Sequence, residues 1–173
     1  IRPSTGTLYR DSEQVSFNKP LDAQKSGISI APQEINLVPN LTVAENVMLG
    51  AHSMSKITIN WKKTREKAIR HLLEIDKSID VQSKVSELSK AQQQLVQIAR
   101  AAATSARILI LDEPTATLTS RETEKLFSYI RRFRADGGAV FYISHRLDEI
   151  LELSDRITVL RDGTYVCELD PKT

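Results

Sequence analysis

The run Ile108-Leu109-Ile110-Leu111-Asp112-Glu113-Pro114-Thr115 places two acids directly behind four apolar residues. An unbroken apolar run of that length suits a strand buried on both faces of a parallel sheet. Open α/β sheets bind ligands beyond the carboxyl ends of their strands, so Asp112 and Glu113 are delivered to a binding edge. One carboxylate there can hold Mg²⁺ through its water shell, and a second can polarise an attacking water. Asp112 suits the first role and Glu113 the second, while Pro114 forces the chain away from the strand. Taken alone, the same residues read as readily as a solvated acidic turn after a core strand. Three further positions stand at comparable points. Gln33 follows a strand-like stretch in Ala31-Pro32-Gln33-Glu34, and His145 follows another in Ser144-His145-Arg146. Ser89-Lys90-Ala91-Gln92 has the form of a capping box at a helix start. A lone glutamine in a loop is ordinarily a polar loop residue, a lone histidine is ordinarily structural, and a capping box needs no ligand to explain it.

To position these residues, strands must end beside them. Gly27-Ile28-Ser29-Ile30-Ala31-Pro32 reads as a buried strand closed by proline, and Ala139-Val140-Phe141-Tyr142-Ile143-Ser144 as another buried strand. Ahead of them, Thr7-Leu8-Tyr9 and Gln14-Val15-Ser16-Phe17 flank the polar turn Arg10-Asp11-Ser12-Glu13, and a short helix is expected from Pro20 to Lys25. From Leu41 to Ala103 the pattern becomes helical. Thr42 and Glu45 form a capping box for a helix ending at Gly50. Asn60 is a candidate cap for a second helix with Trp61, Ile69, Leu72 and Leu73 on its apolar face. Behind Ser89, the residues Leu95, Ile98, Ala99 and Ala102 repeat at helical spacing. Thr119 and Glu122 cap a helix carrying Leu126, Ile130 and Phe133, which Asp136-Gly137-Gly138 stops. A short helix from Leu147 to Leu153 follows, then a hairpin turning at Asp162-Gly163. Strand and helix alternate at both ends, which predicts an α/β fold with a mostly parallel sheet. The helical middle is an insertion, so the expected division is residues 1–40, 41–103 and 104–173.

Length and composition fit one globular domain: 173 residues, 40% hydrophobic and 27% charged. The formal net charge is only +2, from 24 basic and 22 acidic side chains. That balance argues against a nucleic-acid partner held by phosphate neutralisation. No stretch approaches the apolar length of a membrane span, and Ile1-Arg2-Pro3-Ser4-Thr5-Gly6 is no signal peptide. The lone Cys167 has no internal disulfide partner. A soluble cytoplasmic domain is expected. The basic cluster Lys62, Lys63, Arg65, Lys67 and Arg70 reads as a solvated helix face in preference to a membrane surface.

Taken together in this order and spacing, Gln33, Leu88-Ser89-Lys90-Ala91-Gln92-Gln93-Gln94, Ile108-Leu109-Ile110-Leu111-Asp112-Glu113 and His145 resemble the ATP-binding cassette family. They match its Q-loop, signature, Walker B strand with catalytic glutamate, and switch histidine. The resemblance implies a P-loop NTPase-like fold, ATP and Mg²⁺ as cofactors, and ATP hydrolysis coupled to transport. By resemblance, Glu113, His145 and Gln33 are catalytic, and Asp112 with Gln33 faces the metal. Ser89, Lys90, Ala91 and Gln92 would contact the γ-phosphate of a nucleotide held by a second cassette, through amide donors and the positive end of the helix dipole. The implied partners are that second cassette, transmembrane permease subunits and, indirectly, a periplasmic or extracellular solute-binding protein. The implied location is peripheral, on the inner face of the cell membrane.

Two departures narrow the branch. Lys90 and Ala91 stand where the family usually has two glycines, and Thr119 stands where an aspartate usually follows the Glu-Pro-Thr segment. Both are similar to importers of simple sugars such as ribose, arabinose or galactose, or of sugar-like solutes. A phosphate-cradling Gly-x-x-x-x-Gly-Lys-Ser/Thr loop occurs nowhere in the 173 residues, so the fold is expected to be incomplete at its N-terminus and these residues alone inactive. A cassette from a translation or repair ATPase, or a non-catalytic interaction fragment, is the alternative. Long coiled-coil arms of the repair type are not expected, because residues 34–88 contain no sustained heptads.

Overall fold

The computed structural model describes residues 4–51, 61–104 and 106–171. Asn60, the candidate cap, and His52, which reads from sequence as a surface residue, lie outside them. The first elements are a hairpin of β1 (Leu8–Arg10) and β2 (Glu13–Val15), turning through Asp11 and Ser12 at φ 51° and 66°. Two successive left-handed residues are the turn geometry that matches strand twist. Helix α1 (Pro20–Lys25) starts on proline, whose fixed φ suits a first turn, and leads into β3 (Ile28–Ala31).

Three helices form the insertion: α2 (Val43–Ala51), α3 (Trp61–Ile75) and α4 (Lys90–Ala102), with a 3-10 turn at Val85–Glu87. The Thr42 amide and hydroxyl both donate to Glu45 Oε2 at 2.8 Å, and the Glu45 amide donates back to the threonine oxygen at 3.2 Å. Ser89 and Gln92 exchange the same pair of bonds at 3.0 and 3.2 Å. Within α4 the expected residues Leu95, Ile98, Ala99 and Ala102 are all buried. On α3 the buried stripe runs through Leu72 and Ile75, whereas Leu73, expected on that face, is exposed. A residue beside Leu72 is turned about 100° around the helix from it, so only one of the pair can face inward. His71, which has no partner motif in the sequence and reads from it as a surface residue, is half-buried.

The central sheet has the order β3-β4-β5, with β4 (Ile108–Asp112) in the middle and β5 (Ala139–Ile143) on its far side, all parallel. The register pairs Ala31 with Leu111 and Asp112 with Ile143, so all three carboxyl ends lie along one edge. Helix α5 (Ser120–Ala135) crosses from β4 to β5, and α6 (Leu147–Leu153) follows. Gly138 closes that crossover because a Cβ there would stand 2.3 Å from the Phe133 ring. A final hairpin, β6 (Ile157–Arg161) and β7 (Thr164–Leu169), turns at Asp162 and Gly163.

One continuous set of buried side chains joins sheet and insertion, from Val43, Leu72, Leu95 and Ile98 through Ala31, Leu109 and Leu111 to Leu126 and Tyr129. The expectation of strands buried on both faces is corrected here. Burial alternates along β3, β4 and β5, and Ile30 and Phe141 on the second face are 55% and 61% exposed. Among the described residues only one face of the sheet is covered, so a pattern expected to mark double burial here marks a half-covered sheet.

Candidate active site

Because β4 lies between β3 and β5, residues just past the three strands line up at spacings of about 4.8 Å. Gln33 follows β3, Asp112 ends β4 with Glu113 next, and His145 follows β5. The Glu113 amide donates to the carbonyl of Ile143 at 2.9 Å, which ties the turn after β4 to the end of β5. Glu113 itself sits at φ 47°, a left-handed conformation uncommon for a side chain of its size. That conformation, with Pro114 next, turns the chain sharply off the strand.

His145 Nδ1 lies 2.8 Å from Glu113 Oε1. A carboxylate only accepts, so the ring nitrogen is the donor. The histidine side chain is 81% exposed and the glutamate 18%, so the acid is sheltered while the ring faces outward. Asp112 is half-buried and Gln33 exposed. Among the described residues no three His, Cys, Asp or Glu side chains gather into a metal cage. One carboxylate and one amide instead fit Mg²⁺, which keeps waters and takes substrate phosphates as its remaining ligands.

Ser89, Lys90, Ala91 and Gln92 are not part of this edge cluster. They open α4, whose later residue Gln97 touches the Gln33 segment, so Ser89 lies two turns away, about 12 Å along the axis. Ser89 and Lys90 are exposed. The start of α4 is therefore a second, solvent-facing place, apart from the strand edge.

Residues 1–116 match the ABC transporter family. This chain belongs to the ABC transporter family. The chain is 44% identical over 170 residues to the fructose import ATP-binding protein of Bifidobacterium longum, covering 98% of this chain and 33% of the relative. It is 44% identical over 168 residues to a ribose import ATP-binding protein of Rubrobacter xylanophilus, covering 97% and 34%. It thus spans about a third of the length of these curated relatives. Among solved structures it is similar to a dimeric bacterial ABC transporter cassette, with a TM-score of 0.86 at 28% identity, covering 99% of this chain and 75% of that one. A dimeric post-hydrolysis state of an ATP-binding cassette bound to ADP and Pi gives a TM-score of 0.85 at the same 28% identity. The fold is the ABC cassette form of the P-loop NTPase fold, as expected.

Three residues of this ABC family member escaped the sequence reading. Glu149 on α6 is buried and accepts from Thr115 Oγ1 at 2.8 Å, Tyr142 OH at 2.6 Å and Ser144 Oγ at 3.4 Å. Its other oxygen lies 2.8 Å from the Arg146 guanidinium. Gln97 and Arg100 on α4 bond to the backbone around Gln33. Gln97 left no signal in the sequence, because it stands about 200° around α4 from Leu95, on the side opposite the stripe of Leu95, Ile98, Ala99 and Ala102. Glu149 left none, because acids are ordinary in an exposed short helix.

Proposed function

We propose that this chain is part of the nucleotide-binding domain of an importer that couples ATP hydrolysis to uptake of a simple sugar or sugar-like solute. The convergence of Gln33, Asp112, Glu113 and His145 on one edge of three adjacent parallel strands carries this reading. The identity to sugar import ATP-binding proteins supports the solute class. Residues 1–40 and 104–173 are the nucleotide core in this reading, and 41–103 the helical subdomain.

With Mg-ATP beyond the strand ends, Glu113 orients the attacking water and draws its proton. His145 donates to Glu113 and so fixes the direction of the carboxylate. Asp112 and Gln33 would hold Mg²⁺, which supplies charge neutralisation on the phosphates when bound. Ser89 and the amides behind it serve the nucleotide of a second cassette, a reading their exposure at the start of α4 supports. A transmembrane permease takes up the surface around Val38, in the segment that leads from Gln33 to the helical subdomain, and a solute-binding protein acts only through that permease. Val38 is 42% exposed, and Asn46 holds its backbone from both sides, the Val38 amide donating to Oδ1 at 2.8 Å and Nδ2 donating to its carbonyl at 3.0 Å. The neighbouring Leu37 is partly buried and packs against the core. The proposed place is peripheral, on the inner face of the membrane; no helix among the described residues is long and apolar enough to cross it.

The test is Glu113→Gln in the full-length protein. The amide keeps shape and loses the negative charge, so steady-state phosphate release should fall by about 10²- to 10⁴-fold while labelled ATP stays bound. Turnover at near the unsubstituted rate would remove Glu113 from the mechanism and overturn the assignment.

A further inference from the structure

Gln97 is 4% exposed, and its carboxamide is spent entirely on the backbone of residues 32–36. Nε2 donates to the carbonyls of Pro32 at 2.7 Å and Glu34 at 3.1 Å, and Oε1 accepts from the Asn36 amide at 2.6 Å. Two carbonyls and one N–H facing the group leave a single orientation that satisfies all of them. One turn further along α4, Arg100 NH1 donates to the Asn36 carbonyl at 2.6 Å. Burial holds the Arg100 guanidinium below its ordinary pKa, in keeping with a side chain laid against the fold. Gln33 lies between the first two anchored carbonyls. Its main chain is pinned while its own side chain stays exposed.

We propose that Gln97, assisted by Arg100, is the positioning residue that sets where Gln33 stands relative to the strand edge. The proposal rests on the reading of Gln33 given above. Gln97 and Ser89 share one rigid helix, α4. A displacement of the Ser89 end therefore moves the Gln33 segment directly through α4, without passing through the loops that join insertion and sheet. A buried amide is costly to leave without partners, so the clamp stays closed as the helix moves. Leu at position 97 fills similar volume and makes none of these bonds.

Two measurements test it. Hydrogen exchange reads the clamp without any nucleotide. In Gln97→Leu the Asn36 amide should exchange at least about tenfold faster, while the amides of Ile98 to Ala102 keep their rates. An unchanged Asn36 amide overturns the proposal, and so does equal acceleration along α4, which would make Gln97 a packing residue only. In the full-length protein, Gln97→Leu should lower kcat for ATP by roughly 10- to 100-fold. KM should stay within about twofold. Combined with Gln33→Ala it should lose nothing beyond Gln33→Ala alone, because one acts through the other. Additive losses overturn it. If Glu113→Gln retains turnover, the assignment of the edge fails, and the exchange rates still decide the clamp.

Discussion

Glu149 is only 2% exposed, and a carboxylate so enclosed is costly unless its lone pairs are met. Thr115 lies two residues past Glu113 and Ser144 immediately precedes His145, so bonds from both to Glu149 tie the two loops of the strand edge to α6. Burial, together with the bond to Glu149, drives the Tyr142 hydroxyl well above the ordinary phenol range and keeps it a neutral donor. Glu149→Leu leaves three hydroxyls and Arg146 without this acceptor. It should destabilise the full-length protein by about 3 kcal/mol, read as a fall in Tm, and Glu149→Gln should cost less. A Tm unchanged by Glu149→Leu would show that these groups find other partners.

At the level of elements, α3 meets α5 through a polar pair. Lys125 Nζ lies 2.7 Å from Asp76 Oδ2, and the Arg132 guanidinium donates to the Glu74 carbonyl at 3.1 Å. Burial alone would raise the Asp76 pKa. Lys125 and the Ser78 amide and hydroxyl outweigh it, and the folded value lies below the ordinary 3.8. The unfolded chain therefore binds this proton more tightly. The stability Asp76 supplies is full above pH 3.8 and is lost as pH falls through the lower folded value. Lys125→Met should thus lie well below the parent in Tm at neutral pH, and the gap should close as pH drops below 3.8. A gap constant across that range would mean the pair contributes by packing alone. Local chemistry made most elements legible from sequence: the caps at Thr42, Ser89 and Thr119 each use partners three residues away. The clamp on Gln33 was not legible, since Gln97 and Asn36 are 61 positions apart and only the fold brings them together. Edge residues were legible because strand ends in a parallel sheet share one side.

On the scale of the whole molecule, the sheet face bearing Ile30, Phe141 and Ile143 is open among the described residues. Apolar surface in a contiguous patch drives association. The 173-residue chain on its own should bind an apolar dye and sediment as a concentration-dependent mixture. Phe141→Thr with Ile143→Thr should shift it toward monomer without lowering Tm, because neither side chain is packed. A monodisperse unsubstituted chain that ignores the dye would contradict this.

The left-handed turn at Glu113 has a consequence for laboratory evolution of this molecule. A φ of 47° disfavours glutamate by about 1–2 kcal/mol, and glycine or asparagine at 113 relieves much of that. A library challenged by heat alone therefore enriches such replacements, each one hardier and each without the acid at the strand end. With Glu113 in the role proposed above, selection for durability and selection for activity pull this codon in opposite directions, so a heat screen has to be coupled to a screen for ATP turnover.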